Sequence, residues 1–236
     1  MTITDRISLS GRVVAIAGAA NPIGAAIAHA CLVAAASKVV LVDRNVVPLE
    51  ELASRLDGET ETIRADLSSR RALARFDAQL DVDTLVNVPW GAKRKPFAAT
   101  TGADWLETSL TMVQSVVAVA ALVLPKMIAR RRGSVVNLVS EAGRQPLAGF
   151  GPAYCGAMAA VAGLTKALAR EAAPAGVRVN TVGYHEFTVA RGGALEGTSD
   201  RSSRAAGIAA GAVFLLSDAA AYITGETLTV GEKLLR

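Results

Sequence analysis

A short turn between a strand and a helix is the first place in this sequence where residue types and spacing suggest chemistry. The stretch VVAIAGAANPIG, residues 13–24, ends a β-branched apolar run at Gly18 and opens a helical stretch at Gly24. Asp43 ends the next apolar run, 19 residues after Gly24. Such a turn binds a pyrophosphate at the helix N-terminus, and the acid bonds a ribose 2′-hydroxyl. The pattern predicts the mononucleotide-binding half of a Rossmann fold, and it favours NAD over NADP because Asp43 would repel a 2′-phosphate.

The elements that must position this turn alternate along the chain. Seven β-branched, mostly apolar runs predict strands buried on both faces: RVVAIA, KVVLVD, TETIRAD, DTLVNV, SVVNLVS, VRVNTV and ETLTV. Stretches rich in Ala and Leu predict helices over residues 23–36, 47–56, 69–79, 104–130, 152–173 and 205–217. The alternation predicts an α/β fold with one Rossmann-type, doubly wound, seven-stranded parallel sheet and helices on both faces. Residues 1–236 are expected to form one domain, with a mobile surface loop over 186–206.

The composition limits which classes of function are possible. Hydrophobic residues make up 51% of the chain, which is enough for a large core, and the net charge is a modest +4. The basic clusters at 93–95 and 130–132 lack interleaved aromatic residues, which favours solvated loops over a nucleic-acid surface. The N-terminus has no apolar signal core, and the longest apolar run, 112–124, is too short to span a bilayer. Cys31 and Cys155 are expected to be reduced core residues, without a metal site. We therefore expect a cytoplasmic protein with no nucleic-acid or membrane partner.

Seven segments stand in a characteristic order along almost the whole chain. They are GAANPIG, RADLSS, DTLVNVPWG, SVVNLVSEAG, AYCGAMAAVAGLTKALARE, VRVNTVGYH and SDAAAYITGETLTV. Together they resemble the classical short-chain dehydrogenase/reductases. The resemblance implies that Ser140 and Tyr154 stand at the family's catalytic serine and tyrosine. It also implies an NAD site that comprises Gly18, Gly24, Asp43, Asp66 and Asn87.

The departures from the family pattern concern catalysis. Met158 stands four residues after Tyr154, where the family has a lysine that holds the nicotinamide ribose. Counted without gaps, the family's proton-relay asparagine falls on Met112. A lost cation worth about three pKa units at the phenol removes about 4 kcal/mol, or about a thousandfold in rate. Lys166 lies about 18 Å further along the helix and cannot substitute, whereas Arg144 is an unaligned candidate. The catalytic site is therefore predicted to be vestigial.

The predicted cofactor cleft is altered as well. Pro22 replaces the middle glycine of the turn and removes one backbone N–H, although proline suits the first turn of a helix. The family's Asn-Asn-Ala-Gly strand end reads Asn-Val-Pro-Trp at 87–90, so the Trp90 indole either fills the cleft or turns into solvent. The Pro-Gly that borders the nicotinamide reads Tyr184-His185. We predict that NAD, the cofactor that the pattern favours, binds weakly or not at all.

Three functions remain open. The first is a non-catalytic partner of an active NAD-dependent hydroxyacyl-type dehydrogenase, paired with that relative in a hetero-oligomer, most simply a tetramer. The second is a repurposed enzyme that uses Ser140, Tyr154 and His185, and the third is a conventional NAD-dependent oxidoreductase with a modified site. The helices at 104–130 and 152–173 favour the first, because they are nearly free of charge where this family forms its intersubunit bundle. The precedent to compare is the acyl-CoA dehydrogenase of anaerobic benzylsuccinate β-oxidation, which pairs an intact with a degenerate subunit; no residue here identifies that substrate.

Overall fold

Seven parallel strands form one sheet in a computed structural model, which describes residues 2–146, 149–185 and 198–231. The strands are β1 (Val13–Ala17), β2 (Lys38–Asp43), β3 (Thr60–Arg64), β4 (Thr84–Asn87), β5 (Gly133–Ser140), β6 (Val177–Tyr184) and β7 (Thr227–Val230). Their order across the sheet is β3-β2-β1-β4-β5-β6-β7, and every neighbouring pair is parallel. The chain changes direction across the sheet between β1 and β4. The predicted doubly wound, Rossmann-type parallel sheet is therefore confirmed.

Helices connect the strands and cover both faces of the sheet. They are α1 (Ile3–Ile7), α2 (Pro22–Val33), α3 (Val46–Arg55), α4 (Arg70–Leu73), α5 (Gly102–Thr108), α6 (Ser115–Ala129), α7 (Pro152–Ala172) and α8 (Thr198–Leu216). One buried cluster joins α2 and α8 to Ile16 and Leu41, and a second joins α6 and α7 to Ala15 and Val40. Neighbouring residues of one strand thus point to opposite faces, and both faces are covered. This double burial is why the inner strands are mostly apolar without alternation, whereas the edge strand β3 is only partly buried, so the prediction of burial on both faces is wrong there.

Two predicted segments differ in the structure. The helix predicted over 69–79 is wrong in extent, because α4 is followed only by a 3₁₀ turn at Ala74–Phe76. The predicted loop over 186–206 is wrong in its second part, since residues 198–206 belong to α8; residues 186–197 lie outside the described part of the chain. The later turns of α8 bury Ala205 and Ile208. Packing of those turns extends the helix into a Ser- and Arg-rich stretch that periodicity alone does not mark as helical.

The helical segment Gly102–Ala129 comprises α5, a π-helical turn at Ser109–Gln114, and α6. Among the described helices it is the one with sufficient length and mean hydropathy, 1.9, to cross a membrane. The conclusion from the sequence that the apolar run is too short to span a bilayer applied to residues 112–124. The whole helical segment has 28 residues. Half of its most apolar window is buried inside the fold. A core helix meets the same criterion, so length and composition do not by themselves indicate a membrane span.

The basic cluster at 130–132 braces the fold at the end of α6. Arg130 forms an ion pair with Asp81, and Arg132 lies 3.8 Å from the carboxylate of Asp83. Arg131 donates to the Pro174 carbonyl at 2.9 Å. All three residues are exposed, as predicted for a solvated loop, and each guanidinium in addition has a partner in a neighbouring connection.

Both cysteines are free thiols. Cys31 on α2 is fully buried, and burial raises the pKa of its thiol to about 12. Cys155 on α7 is half-buried, and burial raises the pKa of its thiol as well. Both thiols therefore remain protonated near neutral pH, and Cys31 packs as an ordinary apolar core residue.

Candidate active site

A cavity of about 250 Å³ lies at the carboxyl ends of β1, β2 and β4. It is the crevice in which open parallel sheets bind ligands, beside the point where strand order reverses. Gly18, Asp43 and Asp66 line it, so the structure brings together three of the five predicted cofactor residues. Gly24 and Asn87 are outside the lining.

Gly18 and Gly24 are required by the packing of the protein itself. Gly18 has a φ of +89°, and a Cβ there would overlap the Val88 carbonyl oxygen. A Cβ on Gly24 would overlap the Gly18 carbonyl oxygen. The two glycines thus let the turn lie against β4 and let α2 start directly on the turn. Their presence follows from the fold whether or not a nucleotide binds.

Gly18→Ala is expected to destabilise the chain in the absence of any cofactor. The added methyl group combines a strained backbone with steric overlap, which should lower the free energy of unfolding by about 3 kcal/mol and the Tm by about 8 °C. Gly102→Ala is the matched control, because its Cβ meets no described atom within 4 Å. Thermal unfolding without NAD measures both. An unchanged Tm for Gly18→Ala would indicate that the glycine serves a ligand rather than the fold.

Asn21 occupies the hydrogen-bond donors of the predicted phosphate turn. Its Oδ1 accepts from the backbone N–H groups of Ile23 and Gly24, both at 3.0 Å, and its Nδ2 donates to the Gly18 carbonyl. Pro22, the first residue of α2, has no N–H to offer. A pyrophosphate would therefore have to displace the buried Asn21 amide from the helix N-terminus. Asn21 is not among the predicted site residues, although Asn before a helix-starting proline is a known N-cap signal.

Asp43 and Asp66 retain the geometry of the nucleoside half of the cleft. The Asp43 carboxylate accepts from the N–H groups of Ala20 at 3.2 Å and Asn45 at 3.0 Å. Asp66 Oδ1 accepts from the N–H and hydroxyl of Ser68 at 3.0 and 2.8 Å. Both carboxylates face the cavity. Fixed acceptors of this kind suit ribose hydroxyls and an exocyclic amine.

Asn87 belongs to a buried chain of polar side chains. Its Nδ2 donates to Asn137 Oδ1 at 2.8 Å, and Asn137 Nδ2 donates to Thr165 Oγ1 at 2.9 Å. The chain links β4, β5 and α7 through the sheet. Asn87 Oδ1 is buried and has no hydrogen-bond partner among the described residues. The described contacts of Asn87 are therefore structural, and its predicted cofactor role stays a prediction.

Three bulky side chains surround the predicted nicotinamide end. The Trp90 indole lines the cavity and is 42% exposed, so it stands at the rim between the two predicted positions. Tyr184 is buried in the cluster that contains Ile23 of α2. His185 lies against Gly231 at the end of β7, where a Cβ would be 2.7 Å from its Cδ2. Of the three side chains, Trp90 lines the cavity, whereas Tyr184 and His185 are outside its lining.

Ser140 and Tyr154, the predicted catalytic positions, are both buried near Met158. Ser140 is 2% and Tyr154 3% exposed, and Met112 and Met158 are fully buried. The Ser140 N–H points to the Met158 sulfur at 3.3 Å, and Ser140 Oγ accepts from the Ala142 N–H at 3.2 Å. Tyr154 and both methionines belong to one apolar cluster. The thioether thus takes the place beside the serine that the family gives to its lysine.

Arg144, the candidate replacement for the lysine, has a different partner. Its Nε donates to Glu141 Oε2 at 2.7 Å, and the Glu141 carboxylate is buried. Glu141 Oε1 also accepts from the Thr229 hydroxyl at 3.1 Å. The charge of Arg144 is therefore committed to Glu141 at the rim of a second cavity, of about 460 Å³, which Lys166 also lines.

A cation over the tyrosine ring comes instead from the loop after β4. The Arg94 guanidinium carbon lies 4.4 Å from the ring centroid of Phe150 and 5.4 Å from that of Tyr154. The two rings are 5.7 Å apart. Arg94 itself is exposed, which agrees with the predicted solvated loop, and its contact with the rings is additional. The sequence does not reveal this contact, because Arg94 and Tyr154 are 60 residues apart and no helix or strand periodicity links them.

Comparison with known proteins places these positions in context. Residues 12–189 match the family profile described as short chain dehydrogenase. The chain is 34% identical to the D-threitol dehydrogenase of Mycolicibacterium smegmatis, over 94% of this chain and 92% of that protein. A 3-oxoacyl (acyl-carrier-protein) reductase from Agrobacterium tumefaciens C58, solved with NADP bound, superposes with a TM-score of 0.85 at 25% identity, covering 98% and 96% of the two chains. A 3-oxoacyl-[acyl-carrier protein] reductase from Brucella melitensis with bound NAD gives a TM-score of 0.79 at 26% identity, covering 98% and 94%.

Proposed function

Because the chain belongs to the short-chain dehydrogenase family, we propose that it keeps the family's fold as a non-catalytic subunit. In this proposal it assembles with a catalytically complete, NAD-dependent relative, of the hydroxyacyl type, in a hetero-oligomer. Relatives with the same fold are named dehydrogenases and reductases. The observation that carries the proposal is the burial of Tyr154 in an apolar cluster with Met112 and Met158, with the N–H of the buried Ser140 directed at the Met158 sulfur.

The chemistry of Tyr154 supports a non-catalytic role. An ordinary tyrosine titrates near pH 10, so a tyrosine that acts as acid and base at neutral pH needs a cation close to its hydroxyl. Met158 cannot supply one, and Arg94 lies over the ring face. Met112 offers neither the amide donor nor the amide acceptor of a proton relay. A substrate hydroxyl would also have to reach a phenol that is almost completely buried.

The cleft fits only part of the family's cofactor. The carboxylates of Asp43 and Asp66 suit an adenosine, and Asp43 disfavours the 2′-phosphate of NADP. The pyrophosphate does not fit without displacing Asn21 from the helix N-terminus. The family's ribose-holding lysine is replaced by buried Met158. We therefore derive no reaction step that involves the cofactor.

The two alternatives account for less of the site. A repurposed enzyme that uses Ser140, Tyr154 and His185 needs these groups at one accessible site, whereas Tyr154 is buried and only Ser140 of the three lines the second cavity. A conventional NAD-dependent oxidoreductase needs a proton relay, and Met112 and Met158 interrupt it twice. The apolar outer surface of the long helices does not decide among the three functions, because any family member that forms the intersubunit bundle buries it.

That outer surface supports the partner part of the proposal. Large apolar side chains on the segment 102–129 are exposed, among them Trp105, Leu106 and Leu110. The neighbouring α7 exposes Gly156 and Ala160, and Trp105 lies 3.9 Å from the position of a Cβ on Gly156. The two helices therefore present one continuous surface of large and small apolar groups. Surfaces of this composition typically form permanent interfaces above about 2,000 Å².

Titration of the purified chain with NADH tests the cofactor part. Because the phosphate donors are capped and the nicotinamide end is crowded, we expect a Kd weaker than about 100 μM. Isothermal calorimetry measures it, with the NAD-binding relative as a positive control. A Kd in the low micromolar range, about −8 kcal/mol, would contradict the proposal.

A further inference from the structure

The basic run Lys93–Lys95, which we call the strap, is fastened to the fold through each of its side chains. Lys93 Nζ donates to Glu107 Oε2 at 2.8 Å. Lys95 Nζ donates to both carboxylate oxygens of Asp104, at 2.7 and 2.8 Å. Arg94, between them, stacks over Phe150 and Tyr154. Three consecutive side chains thus attach the strap to the fold, with Arg94 placed over the Tyr154 ring.

The anchor at Asp104 is itself rigid. Asp104 closes a capping box with Thr101 at the start of α5, accepting from its N–H and hydroxyl at 2.9 and 2.7 Å. Hydrogen bonds from Lys95 and then from Thr101 hold the pKa of the Asp104 carboxyl well below its usual range. The carboxylate therefore stays charged at every physiological pH, and the strap stays attached.

The backbone of the strap is fitted to the start of the helix that carries Tyr154. A Cβ on Gly151, the residue before α7, would overlap the Lys95 carbonyl oxygen. Ala92, just before the strap, packs on the apolar cluster of Tyr154 and Met158. A glycine at 151 thus lets the strap lie directly against the helix, which closes the path to the phenol from this side.

The cavity beyond the strap remains accessible. Its volume of about 250 Å³ is just below the range of about 300–1,000 Å³ of small-molecule pockets, and so suits one nucleoside better than two. Asp43 and Asp66 supply acceptors, and Pro89 and Trp90 supply an apolar wall for a base. Its lining includes neither Ser140 nor Tyr154.

We infer that the strap decides which ligands the cleft admits. It leaves the cavity beside Asp43 open to a single nucleoside, and it closes the region over Tyr154 where the second nucleoside of a dinucleotide would have to lie. Arg94 is the specificity-determining residue, since its guanidinium covers the tyrosine ring. The inference deepens the proposed function, on which it rests, by naming the element that excludes the dinucleotide.

The three tyrosines of the chain provide a direct test of the closure. Tyr222 is 98% exposed, whereas Tyr154 and Tyr184 are buried. Brief treatment with a small nitrating reagent, read by peptide mass spectrometry, should modify only Tyr222 in the wild type. In Arg94→Ala, Tyr154 should become reactive, and Tyr184 should stay protected because it is buried under α8 rather than under the strap.

Lys93→Ala is the matched control for this test. It removes a basic strap residue and an exposed ion pair with Glu107 without uncovering the ring. Its nitration pattern should equal that of the wild type. Nitration of Tyr154 in the wild type, or continued protection of Tyr154 in a folded Arg94→Ala variant, would overturn the inference.

Titrations with adenosine and NADH test the ligand class. We expect wild type and Arg94→Ala to bind adenosine equally, and Asp43→Ala to lose at least about tenfold in affinity for it. NADH should bind Arg94→Ala about tenfold more tightly than the wild type. Failure of adenosine to bind, or an unchanged NADH affinity in Arg94→Ala, overturns the inference and leaves the proposed function standing. Tight NADH binding by the wild type overturns the proposed function as well.

Discussion

Ala160→Asp should separate this chain from its partner subunit. Ala160 lies on the exposed face of α7, beside Gly156 and across from Trp105 of α5. In a dry helix–helix interface an unpaired carboxylate costs several kcal/mol, so assembly should weaken by about a hundredfold or more. Native mass spectrometry of the co-expressed subunits measures the loss of the hetero-oligomer. The active partner should also lose thermal stability, although none of its own residues has changed.

Ala74→Asp is the matched control for this prediction. Ala74 is exposed in the 3₁₀ turn after α4, outside the outer surface of α5 and α7. The same substitution there should leave the assembly intact. If Ala160→Asp assembles as well as Ala74→Asp, the face of α7 is not the interface.

The purified chain should show no NAD-linked turnover of secondary alcohols or hydroxyacyl substrates. The absence of the lysine alone should lower the rate by about a thousandfold. The absent relay asparagine and the capped phosphate turn should lower it further. Met158→Lys should therefore remain inactive, since it restores one group of several and introduces an amine into a closed apolar cluster. Spectrophotometric detection of NADH formation over hours measures any residual rate.

Tyr154→Phe distinguishes residual catalysis from contamination. A background rate that arises from a co-purified enzyme is unaffected by this substitution. Turnover that the wild type performs and Tyr154→Phe abolishes would show that the chain is itself a dehydrogenase, and the non-catalytic role would then be wrong.

The fold could be predicted from the sequence because its signals are local or repeated. β-Branched runs such as residues 13–17 and 39–42 are apolar throughout since both faces of the sheet are covered. The gathering of Gly18, Asp43 and Asp66 around one cavity follows from the shared edge of parallel strands. The sequence pattern therefore predicts correctly where a residue lies in a regular fold of this kind.

The remainder of the site depends on contacts that no pattern encodes. Asn21 was visible as an N-cap, but its consequence for the phosphate donors emerges only when both N–H groups are seen to be bonded to it. Arg94 has no periodic relation to Phe150 or Tyr154, so its stacking arises from tertiary packing alone. Arg144 was the candidate replacement for the lysine because of its place in the sequence, but it forms an ion pair with buried Glu141. Charges in loops find partners through three-dimensional proximity, which spacing does not report.

The most direct test of the partner role is to identify the proteins that assemble with this chain in its native cells. Affinity purification at native expression levels, followed by native mass spectrometry and an NAD-linked activity assay, gives both the subunits and their dependence on this chain. We predict a hetero-oligomer that contains a motif-complete member of the same family. Its dehydrogenase activity should fall when this chain is deleted. A homo-oligomer alone, with no dehydrogenase activity that depends on the chain, would contradict it.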